Sequence, residues 1–187
     1  MPQETPPPSG QAPAQTSAQP PSLPSSQAES LPFKTLLKDF SDLRAFNLKF
    51  LGNIGAEEAM RMPEGFRNNL HWQLGHLLYT QGVTLYEWCG QPSPIPRGFA
   101  AYFGLGTSPE DWDSLVPDWE ILQVMALKQL RALPQHVTGR LHLPLRKPFK
   151  LMNISMATAG DTLPFLLAHE GEHLGHIKRL RKAVKDA

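Results

Sequence analysis

The residue types that carry chemistry in this chain are histidines, and three of the seven sit where a helix would aim them inward. His169 and His173 are four residues apart, so on a helix they project from one face about one turn apart. They interrupt an apolar stripe, Leu166, His169, His173, Ile177, Leu180 and Val184, whose steps are all three or four. Far upstream, Asn69, Trp72, His76, Tyr79, Val83 and Tyr86 form a second stripe of the same period, with His76 in its aromatic middle. Imidazoles buried together cost free energy unless each has a partner. A divalent metal satisfies all three at once as neutral ligands. The plainer alternative is separate core histidines, each bonded to a carbonyl. An i,i+4 pair facing a third imidazole on another stripe favours the metal.

The other histidines carry less. His176 lies roughly on the side of His169 and His173, but three successive positions on one rigid helix do not converge on one ion, so it belongs at the mouth of the site. His71 does not share the direction of His76 and reads as a surface residue. His136 and His142 fall in irregular segments.

His169-Glu170-Gly171-Glu172-His173 also matches HExxH, the zinc-protease pattern in which the Glu is general base. Those enzymes take a third ligand downstream. Here only His176 follows, and eleven residues follow it. An upstream His76 fits a bundle better, so a zinc-dependent hydrolase is the weaker reading. Neither Glu170 nor Glu172 lies on the steps of the histidine stripe, so neither is assigned as a base. Trp72, Tyr79 and Asn69 share the His76 stripe and are candidates to line the site, although core packing is the stronger reading of the two aromatic rings.

Four helices must position these groups. The first spans 33–51, with Phe33, Leu36, Phe40, Leu43, Phe46 and Phe50 on one face and Gly52 and Gly55 at its end. The second opens at Asn68 or Asn69 as N-cap and closes at Gly90. The third runs from about Pro117 to Leu133, before Pro134. The fourth begins near Asp161 or Thr162, with Pro164 in its first turn, and runs to about Val184. The cations at its end, Lys178, Arg179, Arg181, Lys182 and Lys185, complement the helix dipole on a solvated face. Residues 91–116 and 134–160 are long connections. Ser108-Pro109-Glu110-Asp111 opens a short helix in the first, and the alternating Leu141, Leu143 and Leu145 read as a small extended piece in the second. No convincing sheet is expected. The fold class is all-α: a four-helix bundle with long crossover connections, not simply up-down-up-down.

The chain has 187 residues, a net charge of +1, one Cys and 19 Pro. One Cys excludes a disulfide framework and a thiolate metal cluster. The near-neutral balance argues against nucleic acid as partner, and no stretch is long and apolar enough to span a membrane. Eight of the prolines lie in residues 1–30 among Gln, Ser and Ala, which marks a disordered tail. That tail lacks the basic and apolar regions of a secretory leader and has no Lys or Arg, so the expected location is the cytoplasm. Removing its two carboxylates, Glu4 and Glu29, leaves the bundle domain, residues 31–187, at +3. Cys89, near the end of the second helix, reads as a small buried hydrophobe.

Asn69-Leu70-His71-Trp72-Gln73-Leu74-Gly75-His76 resembles the N-x-x-W-x-x-G-H segment of the DinB-like family. His169 to Ile177 resembles its final H-x-x-x-H-x-G-Q-I segment, and Phe103 to Pro109 resembles the loop before its third helix. The match in order and spacing covers about residues 33–185. The resemblance implies a left-handed four-helix bundle with a metal on His76, His169 and His173, the same trio that periodicity selects. His176 stands where the family usually has Gln, a change at the mouth of the site. Characterised relatives include thiol-dependent S-transferases and isomerases that use low-molecular-weight thiols, and homodimers are common. The resemblance therefore implies a metal-dependent S-transferase with a thiol such as bacillithiol as substrate. Zinc is the first expectation for the metal, with nickel or iron as alternatives. The competing function is a non-catalytic, metal-stabilised stress-response module.

Overall fold

The computed structural model describes residues 31–151 and 154–186. The expected tail at 1–30 lies outside the described residues. In chain order the elements are α1 (Leu31–Leu51), α2 (Ala56–Met60), α3 (Leu70–Leu85), α4 (Phe99–Phe103), α5 (Trp119–Thr138), β1 (Pro144–Leu151), β2 (Ile154–Thr158) and α6 (Leu163–Asp186). The long helices α1, α3, α5 and α6 form the expected bundle. Around the bundle the order is α1, α6, α3, α5, so α1 and α3 lie diagonally opposite, as do α5 and α6. The connections α1–α3 and α5–α6 span those diagonals, and α3–α5 joins two neighbours that run the same way, so all three are crossovers.

The core has two apolar clusters. One holds Leu51, Leu70, Leu74, Leu77, Phe103, Trp119, Leu122, Ile177 and Leu180. The other holds Phe40, Leu85, Tyr86, Leu133, Val137, Leu163 and Leu166. Helices α1 and α6 run from the second cluster to the first, whereas α3 and α5 run the other way. The bundle is thus not up-down-up-down. Between the clusters every long helix carries a polar buried residue on its inner face: Arg44 and Asn47 on α1, His76 on α3, Gln129 on α5, and Glu170 and His173 on α6.

That polar layer settles which face of α1 is buried. Phe46, on the apolar face read from the sequence, is 48% exposed, and the buried positions are Phe40, Arg44, Asn47 and Leu51. Their steps of four, three and four are helical, but two of the four are polar, so an apolar count cannot find them. Helix α6 shows the same shift. Its buried stripe is Leu163, Leu166, Glu170, His173, Ile177, Leu180 and Val184. His169 is half-buried at its edge.

Other boundaries follow local chemistry. Asn69 is the N-cap of α3, with extended backbone and its side chain accepting from Trp72 N at 2.9 Å. A 3₁₀ turn over Glu87–Cys89 follows α3 and ends at Gly90 with φ +73. Ser108 caps a 3₁₀ turn over Pro109–Asp111, as expected. Helix α5 does not stop before Pro134 but continues through it to Thr138. Proline removes one donor and strains the preceding turn, yet Leu133 and Val137, both buried, anchor the helix on either side.

The sheet is a second correction. Strands β1 and β2 pair antiparallel, with Phe149 opposite Met156, Lys150 opposite Ser155 and Leu151 opposite Ile154, and a bulge between Pro144 and Phe149. Of β1 only Leu145 is buried, so the strand never shows the alternation of a half-covered sheet. No helix among the described residues is long and apolar enough to cross a membrane.

Candidate metal centre

His76, on the inner face of α3, is fixed from behind by the last residue of α4. Its Nδ1 lies 2.7 Å from the Phe103 carbonyl oxygen, which can only accept, so Nδ1 carries the proton. Phe103 comes that close because residue 75 is glycine: a Cβ there would lie 2.3 Å from the Phe103 ring. Trp72, one turn before His76, stacks on its imidazole with centroids 4.5 Å apart and planes at 10°. The Trp72 Nε1–H donates to the Thr107 hydroxyl at 2.9 Å. The Phe103–Pro109 loop therefore holds both the ring and the indole that covers it.

His173 is fixed in the same way from α3. Its Nδ1 donates to Gln73 Oε1 at 2.5 Å, and Gln73 Nε2 donates to Asn68 Oδ1 at 2.8 Å. The second bond fixes which end of the amide faces the histidine. With Nδ1 protonated on both rings, each Nε2 presents a lone pair.

Those lone pairs meet. His169 Nε2 lies 3.2 Å from His76 Nε2 and 3.1 Å from His173 Nε2. A neutral His169 has at most one proton on that nitrogen and can donate to only one of the two; the other nearby donor is the Thr80 hydroxyl, 3.4 Å from His76 Nε2. A cation at the centre satisfies all three. The three nitrogens lie within 4.8 Å of one another. Tetrahedral angles at a zinc–nitrogen distance of about 2.0–2.1 Å put neighbouring nitrogens about 3.3 Å apart, close to the two separations from His169. The donor set can hold a divalent metal.

Electrostatics agree. Burial pushes the His76 pKa down. Burial and then the charges of the neighbouring histidines and Arg44 push His169 to about 3 and His173 to about 2. All three rings are neutral at pH 7, the form in which imidazole binds metal.

A family model described as the DinB superfamily matches residues 39–177, the three histidines included. The chain belongs to the DinB superfamily. No curated protein matches it.

In this DinB-superfamily bundle, Glu170 does not face the cluster. It is 1% exposed and turned into the polar layer, where Arg44 Nε donates to its Oε1 at 2.5 Å and Asn47 Nδ2 to its Oε2 at 2.7 Å. Arg44 also donates to Gln129 Oε1 at 2.9 Å and to the Leu77 carbonyl at 3.2 Å. The carboxylate is bound on both oxygens, and the network ties all four long helices together.

The remaining candidates take varied places. His176 has a 41% exposed side chain, with Arg179 Nη2 3.1 Å from its Nδ1 and its ring centroid 5.9 Å from that of His173. It lies at the rim. Asn69 acts through the helix cap, and its Nδ2 donates to the Met60 carbonyl at 3.0 Å. Tyr79 is half-buried and lines a cleft of ≈ 400 Å³ with Gln91, Ser93, Ile95 and Arg97. His71 corrects the expectation of a surface residue. It is 3% exposed, its Nε2 lies 2.8 Å from the Pro117 carbonyl oxygen, and its ring stacks on Phe103. Helix α3 is enclosed by α4, α5 and α6 and has no solvent face at that level. Cys89 is half-buried, and burial raises its thiol pKa, which makes it a poor nucleophile.

Sequence reasoning missed Gln73, Thr107, Arg44 and Asn47. Gln73 carried a signal: it lies three residues before His76, on neighbouring helical steps. Thr107 lay within a segment noted only for its resemblance.

Proposed function

We propose that this protein is a divalent-metal-dependent S-transferase that takes a low-molecular-weight thiol such as bacillithiol as one substrate. One observation carries the reading: three neutral imidazoles converge through Nε2, while the glutamate beside them is bound to Arg44 and Asn47. Three histidines leave at least one metal position open, the catalytic rather than the structural pattern. His76, His169 and His173 would hold the ion, zinc first and nickel or iron as alternatives, and when bound it supplies Lewis acidity that lowers the pKa of a thiol or water. A hydrolase of the HExxH type needs its glutamate as base, and Glu170 is engaged elsewhere. Thiol transfer needs no such base, because the thiol ionises near neutral pH once its pKa is depressed.

In the transfer, the thiolate sulfur attacks an electrophilic carbon. The carbon–sulfur bond forms as the bond to the leaving group breaks, the leaving group departs with the electron pair, and the thiol proton passes to water. The protein holds the rings: the Phe103 carbonyl and Gln73 keep two imidazoles in the ligating tautomer, and Trp72 shields His76 from water. The reading includes a cytoplasmic protein with no nucleic-acid or membrane partner. It also includes a homodimer, supported by the exposed Ile121, Val124 and Leu127 on α5. A stress-response role without catalysis is the competing reading and uses the same ligands.

The test is metal analysis of untagged protein beside a His169→Ala/His173→Ala variant. One bound divalent ion per chain, lost in the variant, is expected. Bacillithiol, glutathione and mycothiol are then each offered with monobromobimane, which loses bromide on transfer. Metal-dependent turnover with one of them supports the enzyme. Metal without turnover supports the module, and equal, negligible metal in both proteins overturns both.

A further inference from the structure

A cleft of ≈ 520 Å³ opens between the turn after α3 and strand β1 and is lined by Glu87, Trp88, Arg146, Lys147 and Phe149. Its walls are aromatic. The Trp88 ring meets Phe149 edge to face at 5.3 Å and Phe165 at 6.1 Å. Phe165 in turn lies 5.7 Å from the imidazole of His169, one turn along α6. A continuous ring surface thus runs from the cleft to the most exposed of the three histidines.

The mouth is cationic. Arg146 and Lys147 are exposed, and among the described residues neither forms an ion pair. Glu87 is the one carboxylate in the lining, so the cleft keeps a net positive charge. Arg146 is held rather than loose: its Nη2 donates to the Gly90 carbonyl at 3.4 Å. Gly90 makes the approach feasible, because a Cβ there would meet Arg146 Nε at 2.5 Å, and its φ of +73 disfavours other residues. The guanidinium keeps further N–H donors for an anion, in the fork geometry that suits a carboxylate.

We propose that this cleft binds the second substrate of the transferase, a small organic acid with an aromatic or alkyl body. The carboxylate pairs with Arg146 and Lys147, the body lies on Trp88 and Phe149, and the far, electrophilic end points past Phe165 toward His169. The inference rests on the transferase reading for the word substrate, but the binding site stands on its own residues.

The experiment is calorimetric titration of the zinc-loaded full chain with 4-phenylbutyrate and, as the uncharged comparator, 4-phenylbutan-1-ol. The acid is expected to bind saturably and at least about tenfold more tightly than the alcohol. Arg146→Gln/Lys147→Gln should bring the acid down to the level of the alcohol, and Trp88→Ala should weaken both on the order of tenfold. Both variants are checked for native circular dichroism. Arg146→Glu alone, an exposed change on a strand, repeats the test if the double variant misfolds. Acid binding should persist in His169→Ala/His173→Ala. The proposal is overturned if acid and alcohol bind alike, if the charge variants bind the acid as wild type does, or if the histidine variant abolishes binding, which would put the carboxylate on the metal. Binding that behaves as expected without any thiol turnover sinks the transferase reading and leaves the site. Turnover without acid binding does the reverse.

Discussion

Gln73 on α3 and His173 on α6 are joined by a hydrogen bond of 2.5 Å from the imidazole Nδ1 to the amide oxygen. The amide nitrogen is tied to Asn68 at 2.8 Å, so the amide cannot turn over without losing both bonds. Asn68 immediately precedes the cap of α3. The register of one helix start therefore sets the tautomer of a ligand on another helix.

Replacing Gln73 by Leu removes that orientation and leaves a buried N–H without its acceptor. Metal affinity should fall about 10–100-fold, the usual effect of losing such a partner. Competition with a chromophoric chelator measures it. Gln73→Glu keeps an acceptor and should retain affinity closer to wild type. A purely structural role for Gln73 would lower stability in the Leu variant but leave the affinity of the folded protein unchanged.

The Arg44–Glu170 pair makes the second prediction. Both side chains are 1% exposed. Glu170→Gln leaves the guanidinium buried without its counter-charge and should cost about 3–5 kcal/mol of stability in urea unfolding. Arg44→Met/Glu170→Met removes both charges and should recover most of that loss. Metal content of the folded Glu170→Gln protein should match wild type, because the carboxylate does not face the histidines.

How far these sites were legible in the sequence follows from the same residues. His76, His169 and His173 were found because they interrupt apolar stripes whose period is otherwise clean, and Asn69 because a cap has a residue type and a position. Arg44, Asn47 and Glu170 were not found, because a polar or charged residue on a helix reads as surface until its distant partner, 126 positions away for Arg44 and Glu170, is known to be buried with it. The apolar face read for α1 includes the exposed Phe46 and omits Arg44 and Asn47 for that reason. The β1–β2 hairpin escaped because it is exposed on nearly all sides and carries Arg146, Lys147 and Lys150 where a covered strand would alternate. Pro134 misled the reading of α5, since packing at Leu133 and Val137 outweighs a local break.

The histidine cluster gives the pH dependence. In the metal-free protein, burial holds His169 near 3 and His173 near 2, whereas an unfolded histidine titrates near 6.5. Between those values the unfolded chain binds more protons than the folded one, so stability rises with pH across the window. The contribution is complete above about 6.5 and is lost as pH falls toward 3. Thermal melts of the metal-free protein at pH 7.5, 6.0 and 5.0 should show a falling Tm, and His169→Ala/His173→Ala should flatten the trend. The metal-loaded protein should start higher and fall more steeply, because protons displace the ion as well.

Gly75 makes the last prediction, because it couples packing to the metal. A methyl group at this position would overlap the Phe103 ring at 2.3 Å, and helix and ring cannot both keep their places. Gly75→Ala gains helix propensity, worth up to about 1 kcal/mol, against an overpacking cost of about 1–3 kcal/mol. The overlap is severe and with the face of a buried ring, so the net effect should be destabilising by 1–2 kcal/mol, read as a lower urea midpoint at unchanged slope. Displacing Phe103 also moves the carbonyl that holds His76 Nδ1, so metal affinity should drop in the same variant. Phe103→Leu makes a smaller side chain available at the contact. Gly75→Ala/Phe103→Leu should therefore be more stable than the sum of the single changes and should regain metal affinity. Strict additivity of the two changes would mean that the residues do not press on one another and that glycine is there for some other reason.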